Sequence, residues 1–164
     1  MRSLLKNKSG ITTFIIVFVI CLVGYFFILH VVMPATVDTE QVELEIFKMI
    51  NEERADRGLP ELNVDNNLES IAKEWSDELI QIGELTHGNF GQRIASIGYS
   101  NYSCSEIIAE QNGWTLSFAR DFIDGWIDSP AHYDIMMTES YGYMGVGVSK
   151  DGSMFYAVTD FRFE

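Results

Sequence analysis

Cysteine, proline, histidine and basic charge are all scarce in this 164-residue chain, and each scarcity narrows the reading. There are 2 cysteines. Cys21 sits inside an apolar run and Cys104 far outside it, so no internal disulfide is expected, and a chain of this length can bury a core without one. Cys104 is then an intermolecular bridge or a small buried hydrophobe. The 3 prolines, at positions 34, 60 and 130, leave long uninterrupted stretches for helices and strands. Histidine is limited to 3 positions, and His30 lies in the apolar run, so His87 and His132 carry whatever imidazole chemistry exists. Beyond residue 37 the chain has all 24 of its acidic residues but only 8 of its 11 basic ones, a formal charge of −16. Such a surface repels phosphate backbones and anionic headgroups, which excludes a nucleic-acid role. No internal repeat or low-complexity tract is present.

The segment "ITTFIIVFVICLVGYFFILHVV", residues 11–32, has no formal charge over 22 residues. A helix of that length spans roughly 33 Å, close to a bilayer's hydrocarbon core. Arg2, Lys6 and Lys8 precede it and Asp38, Glu40, Glu43 and Glu45 follow it, so the positive-inside rule places residues 1–10 in the cytoplasm and exports everything after Pro34. The run is longer than a signal peptide's apolar region, and "MPA" is a poor cleavage site, so a retained anchor is favoured over a cleaved leader. Residues 33–42 read as a linker and residues 43–164 as one extracytoplasmic domain.

Within that domain, Leu44, Ile46, Phe47, Met49 and Ile50 mark a first helix, stopped by Gly58 and Pro60. Asp65 is the expected cap of a second, whose Leu68, Ile71, Ala72, Trp75 and Leu79 recur at helical spacing. A short helix is expected near Arg93–Ile97. A longer one follows, begun by Trp114 or Thr115 and ended by Pro130, with Leu116, Ala119, Phe122, Ile123 and Trp126 on one face. The tail "YMGVGVSKDGSMFYAVTDFRF" changes to a strand period about the turn "KDGS". Helices first and strands last predict an α+β domain with a small, largely antiparallel sheet.

The chemistry-bearing residues are dispersed. His87, Glu106 and His132 stand on separate segments with no HExxH-type spacing, and taken singly each histidine reads as an ordinary polar surface residue. Glu106, in "SEIIAE", demands a partner if it is buried and is otherwise a solvent-facing carboxylate at a sheet edge. Asp128 and Ser129 either orient His132 or cap the short helix that starts at Pro130, and capping is favoured. Ser105, Ser129 and Cys104 are candidate nucleophiles, but none lies in a nucleophile elbow or a thiol-protease context. "Asn101-Tyr-Ser103" has the form of a glycosylation acceptor.

The segments "INEERADRGLPELNVDNNLESIAKEWSDEL", "THG", "SEIIAE", "FIDGWIDSPAHYDIMM" and "GYMGVGVSKDGSMFYAVTDF" together resemble the CAP superfamily, the SCP-like domains of cysteine-rich secretory, antigen 5 and pathogenesis-related proteins. The most specific pieces are "N-x-x-R-x-x-x-G-L-x-x-L" and "W-x-x-S-P-x-H". The resemblance implies an α-β-α sandwich around a central antiparallel sheet, with a cleft lined by two His and two Glu that in some members hold a divalent metal. His87, Glu106 and His132 fall on three of those positions. Ser129 stands at the fourth, where the family has Glu, and the low cysteine content matches a prokaryotic branch. Two imidazoles and one carboxylate still suffice for Zn²⁺ with water as a fourth ligand. The implied function is an extracytoplasmic module, anchored in the membrane, that binds an envelope component, peptide or lipid-like ligand. No catalytic residue is assigned. The alternatives are a metal-dependent hydrolase acting on protein or cell-wall material and a surface protein whose histidines serve only the fold.

Overall fold

The structure is a computed structural model that describes residues 18–21, 37–113, 115 and 117–163. Residues 18–21 are helical and exposed. The rest of the 11–32 apolar segment and its flanks lie outside the described residues, as do Trp114 and Leu116. Among the described residues no helix is long and apolar enough to cross a membrane. Residues from Asp38 onward form a compact unit of their own.

Helix α1 (Thr39–Ala55) starts inside the stretch read as linker, because Asp38 caps it by accepting from the Glu40 N–H at 3.1 Å. Its core face is Val42, Ile46 and Ile50, while Leu44 is 47% exposed. The apolar stripe is thus rotated from the one the sequence suggests. Buried Asn51 and Arg54 lie on the same face and tie the helix to its surroundings. Asn51 brackets the backbone of Leu62, donating to its carbonyl at 3.1 Å and accepting from its N–H at 2.8 Å. Arg54 donates to the carbonyls of Pro60, Met136 and Thr138 at 3.0, 2.8 and 3.0 Å. These contacts give the "N-x-x-R" spacing its physical meaning: residues one helical turn apart hold the chain after α1 and the end of a distant helix.

Strand β1 (Asn63–Val64) leads into α2 (Asn66–Ile82), capped by Asp65 as expected, and all five predicted core positions of α2 are buried. Helix α3 (Phe90–Ser96) and a 3₁₀ turn (Asn101–Ser103) precede β2 (Cys104–Asn112). Helix α4 (Phe118–Ile127) begins later than the sequence suggests because Ser117 caps it, its side chain accepting from the Arg120 N–H at 3.2 Å. Pro130 does not close α4. It opens α5 (Pro130–Met136), where its missing N–H costs nothing. Strands β3 (Tyr141–Asp151) and β4 (Met154–Phe163) complete the chain.

The sheet order is β1-β3-β4-β2, with β1 parallel to β3 and the other pairs antiparallel, so the sheet is mixed. Its two faces follow from the strand period of two. Tyr156 and Val158, with Ile108 of β2, pack on Ala72, Trp75 and Leu79 of α2. The neighbouring Phe155 turns the other way and stacks on Phe118 of α4 at 3.8 Å. Helix α1 packs against α4 and β3. Helix α2 lies so close to β3 that a Cβ at Gly145 or Gly147 would overlap its backbone at Leu68–Glu69 and Ala72–Lys73. The "GVGV" alternation is therefore a packing requirement of the sheet–helix layer.

Candidate functional site

On the α2 side of the sheet, β2 presents Glu106 and β4 presents Asp160 directly opposite it in register. Both are buried, at 6% and 0% exposure. Charged groups there require partners, and the loop after α2 and helix α3 supply them. His87, on the loop, places Nδ1 at 2.7 Å from Glu106 Oε1. Arg93, on α3, donates from Nη2 to Glu106 Oε2 and from Nη1 to the His87 carbonyl at 3.0 Å. The guanidinium is itself held over the Trp75 ring, 4.0 Å from its centre, so the core of α2 fixes the orientation of the ion pair.

The two ends of this cluster behave differently. His87 keeps a side chain that is 55% exposed, and its Nδ1 is committed to Glu106, which places the Nδ1 proton there and leaves Nε2 unpartnered among the described residues. Asp160 accepts from no donor at either oxygen among the described residues. Burial first, and the adjacent Glu106 second, push its carboxyl well above the usual carboxylate range, with Arg93 offsetting only part. A protonated Asp160 becomes a donor, and the acceptor facing it across the strand pair is Glu106. The buried part of the site is thus two carboxyl groups side by side across the strand pair, one of them held by an arginine and joined to an exposed imidazole.

His132 lies on α5, half-buried. Burial pushes its imidazole below the ordinary range, and the nearness of His87 adds to the shift. No hydrogen bond links His132 to His87 or Glu106. Ser129 is the cap residue of α5, and its side chain makes no capping bond. Its carbonyl accepts the first backbone bond of α5, from the Tyr133 N–H at 2.9 Å, and Asp128 closes α4 rather than capping α5.

Zinc fits these residues poorly. Among the described residues no three His, Cys, Asp or Glu side chains converge as a metal-holding group. The carboxylate expected as third ligand has both oxygens engaged, one by His87 and one by the Arg93 guanidinium. Nor do the described residues of the site include an activated nucleophile. Ser105 accepts from the Tyr141 hydroxyl at 2.6 Å, and its neighbour Glu106 is what faces the cluster. Cys104 is buried, and burial pushes its thiol up, which opposes thiolate chemistry.

Sequence reasoning missed Arg93 and Asp160. Asp160 had a signal: it continues the inward alternation of Tyr156 and Val158 in "YAVTD", where an acid has no place unless it serves a site. Arg93 is the lone Lys or Arg between Lys73 and Arg120.

Comparisons with known proteins agree with this architecture. An uncharacterized protein of Borreliella burgdorferi is 28% identical over 113 residues, spanning 66% of this chain and 70% of its own. An outer surface protein from Borrelia burgdorferi superposes with a TM-score of 0.69 at 26% identity, covering 80% of this chain and 99% of its own. An extracellular SCP-domain protein from Bacillus anthracis superposes with a TM-score of 0.68 at 23% identity over 80% of this chain and 45% of that one, a likeness of fold. The family model for the cysteine-rich secretory protein family, CAP, matches residues 47–161, and the chain belongs to that family.

Proposed function

We propose that this chain is an extracytoplasmic CAP domain, held at the membrane by its apolar residues 11–32, that binds an envelope component, peptide or lipid-like ligand through His87 and His132. The observation that carries this reading is the exposed His87 imidazole, oriented by buried Glu106 and left with Nε2 free among the described residues, beside a second histidine. An oriented imidazole with a bare Nε2 beside solvent is a recognition group for a hydrogen-bond donor. The surface and extracellular character of the similar Borrelia and Bacillus proteins supports export.

The test is a binding screen on the full chain in detergent, with peptidoglycan fragments, peptides and lipid vesicles as probes, read by chemical-shift changes at His87 and His132. Saturable binding that is lost in the double variant His87→Ala/His132→Ala, with unchanged melting temperature, supports the module. Time-dependent, chelator-sensitive cleavage of a probe would replace it with the hydrolase. A lowered melting temperature with intact binding would assign the histidines to the fold.

A further inference from the structure

We infer that a second site, the groove between α1, α2 and the outer edge of β3, binds a short extended peptide that carries an apolar residue next to a lysine or arginine. The groove has a volume of about 540 Å³ and shares no residue with the His87 cluster, so the two readings stand or fall separately.

Three observations define the occupant. The first is an unfinished sheet edge. Strand β1 covers β3 only at Tyr143 and Met144. Further along the strand, Val148 turns its backbone outward, its N–H donating to Glu43 Oε1 at 2.7 Å and its carbonyl accepting from Lys73 Nζ at 3.0 Å. Val146 shares the outward orientation by the period of two, and no hydrogen bond from β1 or from either helix reaches it among the described residues. One residue's pair of backbone groups is therefore left without a partner among the described residues at the groove floor, in line with β1, although Val146 itself is only 4% exposed. An extended chain continuing β1 would satisfy both groups, the basis of strand addition.

The second observation is an apolar wall. Leu44, Phe47 and Val64 line the groove, and Leu44 and Val64 remain 47% and 50% exposed. Leu44 is thus out of place as core but suitably placed to receive a side chain. The third is charge. Lys73, the groove's cation, is taken by Asp77, Ser149 and the Val148 carbonyl. Glu43 is taken by Val148. Glu40 and Glu69 have no ion-pair or side-chain hydrogen-bond partner among the described residues, so the free charge of the rim is negative. That rim repels a fatty-acid headgroup and favours a cationic side chain beside the apolar one.

The experiment uses the full chain in detergent and a fluorescein-labelled Lys-Val-Lys-Val-Lys peptide, read by anisotropy at about 0.15 M salt, where distant charges are screened. Saturable binding is expected, weakened about tenfold in Glu40→Lys/Glu69→Lys and by a similar factor when the central residues of the peptide are N-methylated. The control Glu84→Lys/Glu139→Lys changes the net charge equally at remote positions and is expected to leave affinity within about twofold. Equal weakening by both charge variants would reduce the effect to general attraction and overturn the proposal. So would indifference to N-methylation, or no binding up to about 1 mM.

Discussion

Asp65 and Asp160 are both buried aspartates on the α2 side of the fold, and their surroundings are opposite. Asp65 is saturated. Its Oδ1 accepts from the N–H groups of Asn67 and Leu68 at 3.0 and 3.2 Å, and its Oδ2 from the Tyr99 hydroxyl and Arg162 Nε at 2.9 and 2.6 Å. Burial pushes its carboxyl up, but the hydrogen bonds from Arg162, Tyr99 and the helix backbone outweigh that and hold it below the usual range. Asp160 has no donor at all among the described residues and is pushed the other way. The saturated acid is a fastener: it starts a helix and locks the end of β4 to it. The unsaturated acid fastens nothing among the described residues, and it stands next to Glu106, the carboxylate that holds an exposed histidine. Between these two aspartates, the missing partners point to the site and the full set to the scaffold.

The largest expected effect sharpens the scaffold side. Asp65→Ala removes a helix cap, worth about 1 kcal/mol, and leaves Arg162 without its partner, for a combined loss of about 3 kcal/mol in urea unfolding. Because the folded carboxyl is held low, the stability it supplies is present above the ordinary aspartate range and is lost as pH falls through its depressed value. The wild-type advantage over Asp65→Ala is therefore expected to shrink on acidification. A loss well under about 1 kcal/mol would show that saturation is no sign of a fastener.

A smaller effect is expected at Asp160, with the opposite slope. Its raised folded pKa supplies stability that is full below the ordinary aspartate value and is lost as pH rises through the elevated one. Asp160→Asn preserves the side chain's shape and cannot ionise. Its stability is expected within about 1 kcal/mol of wild type at low pH, with the wild type's decline on raising pH absent. Parallel pH profiles for the two proteins would show that Asp160 is not the titrating group.

The same contrast explains what could be read from the residues alone. Periodicity located α2 and the β3–β4 hairpin because burial there obeys the local period, and Asp65 was legible because a cap acts within its own turn. The first helix was placed but misrotated: Leu44 has the apolarity of a core residue, yet it faces an open groove. The site was legible only in part. Glu106 carried a local anomaly, an acid among apolar neighbours, whereas Arg93 and Asp160 join it through sheet register and through a loop that no sequence spacing specifies. The placement of His132 beside His87 likewise belongs to the fold. The zinc set suggested by the family pattern does not converge among the described residues, and Arg93 occupies the carboxylate.

Buried Glu106 orients His87 with its proton on Nδ1 and leaves Nε2 free for a ligand. Long-range ¹H–¹⁵N NMR on the histidine rings of the full chain reads this directly, since protonated and bare ring nitrogens differ widely in shift. At a pH where His87 is neutral, the Nδ1–H tautomer is expected for His87. A neutral His87 found as the Nε2–H tautomer would contradict the account, because Glu106 would then not be holding the ring.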